Sequence, residues 1–240
     1  MDIAGKSVLL TGGSAGIGRE IARQLKAKGA RVAVTGRNKE RLQQMRDEGF
    51  EAIEADLSNA HGVDGLVGDL GGREMDILIN NAGQGVDHDF AVAHPDADAA
   101  DVCIYANLDA PIRLIVALLP RLMERPEAAI VNVTSGLAIA PNRGSAVYCA
   151  TKAGLRSYTQ ALRAQMAGTN VHVIEAIPPL VDTRMTAGHG GKKMQPGDCA
   201  RQIIVAIESD RDEANVGVIK ILKLIYSISP ALARSLMLRF

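Results

Sequence analysis

Six short runs of aliphatic and β-branched residues, at 7–10, 31–35, 51–55, 76–80, 129–134 and 171–177, recur along this chain with helix-spaced segments between them. Runs of that length and composition suit strands buried on both faces. The segment after the first run shows the other period. Ile17, Ile21 and Leu25 fall on one helical face at steps of four, while Arg19, Glu20, Arg23 and Lys26 occupy the rest. Regular alternation of strand and helix forces right-handed crossovers and parallel pairing, so the expected fold is α/β, a doubly wound parallel sheet with helices on both faces. No linker or internal repeat divides the 240 residues, and an apolar share of 47% suffices for one core. Residues 1–240 are therefore expected to form a single domain.

Charge removes some function classes. Lys and Arg number 27 against 27 Asp and Glu, and a pI near 7.0 leaves no basic footprint for nucleic acid. Cys103, Cys149 and Cys199 are odd in number and lack a C-x-x-C pair, so they read as reduced thiols of a cytoplasmic protein. The first residues, MDIAGK, offer no basic and apolar leader, and no secretory signal is expected. His88 and His94 stand near Asp87, Asp89 and Asp96 without ligand spacing, so no metal site is expected.

After the first run comes Thr11-Gly12-Gly13-Ser14-Ala15-Gly16-Ile17-Gly18, where the first amphipathic helix begins. Glycine is needed where a Cβ would keep a pyrophosphate away from the backbone and from the free N–H groups of a helix N-terminus. Gly12, Ser14, Gly16, Ile17 and Gly18 are the candidate phosphate cradle. The second run ends in Thr35-Gly36-Arg37-Asn38, with no carboxylate for a ribose 2′-hydroxyl. Arg37, beside Asn38, instead suits a 2′-phosphate, which favours NADP(H) as cofactor.

Tyr148 and Lys152 lie four apart at the start of a helical segment, on one face. A phenol titrates near ~10, so it works at neutral pH only with help, and an ammonium one turn away supplies it. Ser135 follows the run at 129–134, at the sheet edge where open α/β folds bind ligands, and can polarise a substrate carbonyl. Asn80-Asn81-Ala82-Gly83 ends the preceding run at the same edge.

Together, TGGSAGIG at 11–18, Asp56 in ADLS, NNAG at 80–83, Asn107 in ANLDAP, Ser135 in VNVTSG and YCATK at 148–152 resemble the short-chain dehydrogenase/reductase family, over nearly the whole chain. The resemblance implies a Rossmann-type sheet and a small-molecule carbonyl or alcohol substrate. In the implied mechanism Tyr148 gives a proton to a carbonyl oxygen during hydride transfer and Ser135 polarises that oxygen. Lys152 lowers the tyrosine pKa and holds the nicotinamide ribose, and Asn107 orients a water that relays protons. It further implies Asp56 and Leu57 beside the adenine, Asn81, Ala82 and Gly83 along the adenosine ribose, and Thr183, in one loop with Val181, at the carboxamide. A homodimer or homotetramer built on the long helices around Asn107 and Tyr148 is also implied. VNVTSGLA, NLDAP and the doubled proline of Pro178-Pro179-Leu180-Val181-Asp182-Thr183 resemble the branch named for genes beside bacterial D-alanyl-lipoteichoic-acid operons. Pro179 removes a backbone N–H from that loop.

The residues that set specificity are expected in the segments 84–101 and 183–196, the latter overlapping a glycine-rich substrate loop at about 184–197 that carries His189, Lys192 and Lys193. With four Tyr, three Phe and no Trp, the pocket is expected to be aliphatic. The segment 216–240 is apolar and basic, with Lys220, Lys223, Arg234 and Arg239 as its only charged side chains, and no uncharged run in it is long enough for a bilayer. A seventh strand followed by a helix, with Pro230 starting or kinking that helix, is the favoured reading. Association with a membrane surface is the alternative. The expected activity is an NADP(H)-dependent oxidoreductase acting by Ser135, Tyr148 and Lys152 with Asn107. An NADP(H)-binding sensor or scaffold without turnover is the competing reading.

Overall fold

All six runs become strands of one parallel sheet in a computed structural model that describes residues 1–87, 90–91 and 96–239. They are β1 (Ser7–Leu10), β2 (Arg31–Gly36), β3 (Glu51–Glu54), β4 (Ile77–Asn80), β5 (Ala128–Val133) and β6 (Val171–Ile177). A seventh, β7 (Glu213–Asn215), pairs with β6, and the spatial order is β3-β2-β1-β4-β5-β6-β7. Order reverses between β1 and β4, so the loops leaving these neighbours diverge and open a crevice at the carboxyl edge of the sheet. His88, Asp89 and His94 lie outside the described residues, and no cluster of three metal-ligating side chains occurs among those described.

Alternation along the strands divides the core in two. Val8 and Leu10 of β1, Val34 of β2 and Ile77 and Ile79 of β4 pack with Ile21 and Leu25 of α1 (Gly16–Ala27), Leu42 of α2 (Lys39–Asp47) and Ile203 of α7 (Pro196–Glu208). Leu9, Leu78 and Ile130 point the other way, onto Leu66 of α3 (Ala60–Leu70), Leu114 and Leu118 of α5 (Ala110–Met123) and Leu162 of α6 (Ala146–Met166). Each such side chain contributes roughly 1.5–3 kcal/mol by leaving water, so the two-sided period that specifies the strands also locks their register.

Helix entrances differ. Asn38, Asn59 and Asp96 cap α2, α3 and α4 (Ala97–Ile104) with side-chain oxygens, whereas α1 follows Ala15, which has none to offer. A π-turn, Tyr105–Asp109, joins α4 to α5, so that one continuous apolar rod runs along the sheet. Its length and composition are those of a membrane span, yet Leu114, Leu118 and Leu122 are buried against the domain.

The C-terminal segment departs from the favoured reading. The seventh strand lies just upstream of 216–240, and the apolar run forms a helix, α8 (Ile219–Ile228), followed by α9 (Pro230–Met237). Three residues complete the pairing with β6, Gly217 at φ +54° turns the chain away, and Ile219 and Leu222 then meet Gly136 from one helical face. Pro230 occupies the first turn of α9, where its missing N–H costs nothing.

Candidate active site

The glycine turn is specified by crowding. A Cβ on Gly12 would lie 2.9 Å from the Ala82 Cα, and one on Gly18 only 2.3 Å from the Gly12 carbonyl oxygen. Gly12 and Gly16 also hold positive φ, +66° and +53°. Thr11, which sequence reasoning passed over, ties this turn to the end of β4: its Oγ1 accepts the Asn81 N–H at 3.0 Å and the Ala82 N–H at 2.9 Å. Asn81 Nδ2 donates to the Thr11 and Gly12 carbonyls at 3.0 and 3.3 Å. The side chain of Asn81 therefore braces the turn, while Ala82 and Gly83 continue along the cleft wall.

That cleft, about 320 Å³, runs from the uncapped start of α1 past Arg37, Asp56 and Leu57 at one end to Tyr148 and Lys152 at the other. Gly12, Ser14, Gly16, Ile17 and Gly18 form its floor, and Thr183 borders it. Arg37 is 58% exposed at the rim, with Nη1 3.6 Å from Asp56 Oδ1 and Nη2 donating to Gln84 Oε1 at 3.4 Å. Asn38 is occupied by its own helix, since its Oδ1 accepts the Arg41 N–H at 2.8 Å and caps α2. Arg41 brings a second guanidinium to the same end, and its Nε is buried with no hydrogen-bond partner. Two guanidiniums and an unpartnered buried donor at one end, with an uncapped helix start along the floor, fit a ligand with two separated anionic groups. The signal available in sequence was a second arginine four residues beyond Arg37.

At the other end, Ser135 caps a short turn, Gly136–Ala138, through its Oγ, which accepts the Leu137 N–H at 3.1 Å. Ser135 stands close enough to Tyr148 to lower the phenol's pKa, but burial outweighs it and pushes that pKa up to about 12. Lys152 is not among the groups that shift the phenol. Lys152 Nζ donates to the Val133 carbonyl at 2.9 Å and stands 5.7 Å from the centre of the Tyr148 ring. Burial lowers the Lys152 pKa to about 8.

Asn107 is fully buried in the π-turn and clamps one backbone segment from both sides. Its Oδ1 accepts the Gln84 N–H at 2.8 Å and its Nδ2 donates to the Gln84 carbonyl at 2.8 Å, with Thr151 Oγ1 at 3.2 Å. The resemblance assigned Asn107 a water; in this arrangement both ends of its amide are engaged with Gln84. A Cβ on Gly83 would come 2.9 Å from Asn107 Oδ1 and 3.5 Å from Lys152 Nζ, so this glycine lets strand end, amide and ammonium meet.

Behind Ser135 lies a polar chain that sequence reasoning missed. Thr134 Oγ1 donates to Glu175 Oε1 at 2.7 Å, and the fully buried Glu175 receives Arg156 Nη1 at 2.6 Å. Arg156, one turn beyond Lys152, also faces Glu213 at 3.6 Å, and Glu213 pairs with Lys223 of α8.

In the loop after β6, the Val181 side chain is buried in the core, away from the cleft. The 181–194 pairing, with Asp182 N–H donating to the Met194 carbonyl at 2.9 Å, closes the base of the substrate loop. Thr183 stands beside Gly16, and Lys193 Nζ is spent on the Thr186 carbonyl at 2.6 Å. Met185 reaches across the cleft to Gly85.

Residues 6–193 match the short chain dehydrogenase family. The chain belongs to that family. It is 40% identical over 195 residues to the uncharacterized oxidoreductase DltE of Bacillus subtilis, spanning 76% of this chain and 74% of that one. Among solved structures it is similar to a short chain dehydrogenase from Burkholderia cenocepacia in complex with NADP, with TM-score 0.87, 27% identity and 99% of both chains covered. A short-chain dehydrogenase from Sphingobium yanoikuyae in complex with NADPH gives TM-score 0.82 at 27% identity, over 95% of this chain and 94% of that one. The protein is thus an oxidoreductase of the short-chain type with a nucleotide-cofactor cleft.

Proposed function

We propose that the protein uses NADP(H) to interconvert a small-molecule carbonyl and its secondary alcohol. The observation that carries this reading is one cleft with two guanidiniums, Arg37 and Arg41, at one end and the Tyr148–Lys152 pair beside Ser135 at the other. With its pyrophosphate held along the glycine turn, a bound nicotinamide cofactor would supply or accept hydride at the Tyr148 end of the cleft. Everything else falls to side chains of this chain. A phenol held near 12 keeps its proton at neutral pH, so Tyr148 acts as the acid that protonates the carbonyl oxygen in reduction. Ser135 shares that oxygen and stabilises charge as it develops. Lys152, with a pKa near 8, is largely cationic at pH 7 and holds the nicotinamide ribose. Asn107 contributes by fixing the Gly83–Gln84 backbone against which Lys152 sits. Arg37 and Arg41 hold the 2′-phosphate.

Two measurements test this. Tyr148→Phe should lower turnover on a carbonyl panel by roughly 10²–10⁴-fold while leaving NADPH affinity within about twofold, since only the proton donor is lost. A variant that turns over like wild type would sink the mechanism, and a wild type that binds NADPH but turns over nothing would favour a sensor. In titrations, NADPH should bind more tightly than NADH, and Arg37→Ala or Arg41→Ala should erase most of that preference, about 1.5–3 kcal/mol for a charge-assisted contact.

A further inference from the structure

The geometry points to α8 and α9 as a docking surface for an anionic lipid bilayer. Residues 218–238 hold seven of the fourteen large hydrophobic side chains that are exposed among the described residues. On α8 and its first flanking residue they recur at Val218, Ile221, Leu224 and Ile228, steps of three and four that draw one stripe along a helix. Ile221, Leu224 and Ile228 are 60%, 61% and 78% exposed. On α9, Leu232 and Leu236 repeat the spacing. The opposite side of α8 is already used, with Ile219 and Leu222 against Gly136, so the stripe is not a core face lacking only its own domain. This segment also lies beyond residues 6–193, the part that matches the family.

Charge selects the occupant. From Ala214 onward the chain has four basic residues and no acidic one, although the whole chain is balanced at 27 and 27. Lys223 is drawn to Glu213, whereas Lys220, Arg234 and Arg239 are exposed and form no ion pair among the described residues. An apolar helical stripe bordered by unpaired cations matches the interface of a bilayer rich in anionic headgroups. A second copy of the chain fits less well, because its matching face carries the same cations and no acidic side chain to pair with them. The docked face would adjoin the Gly136 turn, next to Ser135, and leave the glycine turn at the far end of the cleft free.

The test is co-sedimentation of the full chain with vesicles of phosphatidylcholine alone or with ~30 mol% phosphatidylglycerol. Binding is expected to the anionic vesicles only, and to fall at least about tenfold at ~0.5 M salt. The same loss is expected in the triple variant Ile221→Ser, Leu224→Ser, Ile228→Ser and in the double variant Lys220→Glu, Arg234→Glu. All five positions are exposed and none lines the cleft, so NADPH affinity serves as the folding control, and vesicle binding is read without reference to turnover. Soluble wild type in the presence of anionic vesicles would overturn the proposal, as would equal binding to both vesicle types or undiminished binding by either variant. An oligomer that the triple variant dissociates, with no vesicle binding, would assign the stripe to a second copy instead.

Discussion

The two ends of the cleft are specified by opposite means. At the glycine turn the requirement is absence: no atom fits beyond the backbone at Gly12 or Gly18, because Ala82 and the turn's own carbonyl are already there. Around Lys152 and Ser135 the requirement is presence, since each buried polar group needs one named partner. Asn107 holds Gln84, Lys152 holds the Val133 carbonyl, and Thr134, Glu175 and Arg156 form a chain. A steric specification is read in the residue itself, whereas a hydrogen-bonded one exists only once distant segments have met. The first shapes a bare turn and the second fixes a set of buried polar groups.

Breaking the hydrogen-bonded end should cost most. Glu175→Ala leaves the Arg156 guanidinium without its principal counter-charge inside the domain, and a loss of about 3–5 kcal/mol in denaturant unfolding is expected. Glu175→Gln keeps the shape and should lose less. At the steric end, Gly18→Ala places a methyl 2.3 Å from the Gly12 oxygen and 2.6 Å from Asn81 Nδ2, so the turn must shift. The expected destabilisation is about 1–3 kcal/mol, with nucleotide affinity falling further than stability. Comparable stability losses with unchanged nucleotide binding would erase the contrast between the two ends.

The smallest effect is in pH dependence. Burial lowers Lys152 from 10.5 to about 8, so between these values the unfolded chain binds more protons than the native one. Stability from this group must then rise with pH across that window, its cost being complete below about 8. Unfolding followed from pH 8 to 10 should show wild type gaining on Lys152→Met as pH rises. A constant difference between the two would mean that the ammonium is better solvated than its burial implies.

How much could be read beforehand follows from the same contrast. The strands at 7–10 and 171–177 were legible to the residue because aliphatic runs bounded by polar residues leave little choice. The glycine turn and the Tyr148–Lys152 spacing were legible because they are local. Arg41, Thr11 and Glu175 were not. Glu175 lies in the middle of β6, and its partners come from β5 and α6, so nothing around it in sequence marks it as the centre of a polar chain. The run after Gly217 departs from the expected strand and helix because isoleucine and leucine serve both periods, and only the packing of Ile219 and Leu222 onto Gly136 decides between them. Asn38 and Val181 show the converse. Both lie near cleft-lining residues in sequence, Arg37 and Thr183, but their side chains are taken by a helix cap and by the core.

Because α1 begins without a capping side chain, its first N–H groups are left for an anionic ligand to satisfy. A ligand that binds only the folded chain adds about 2.7 kcal/mol at a hundredfold excess over its dissociation constant. The lifetime of the protein against proteolysis in a cell would then follow the size of the dinucleotide pool, and abundance itself would report the metabolic state.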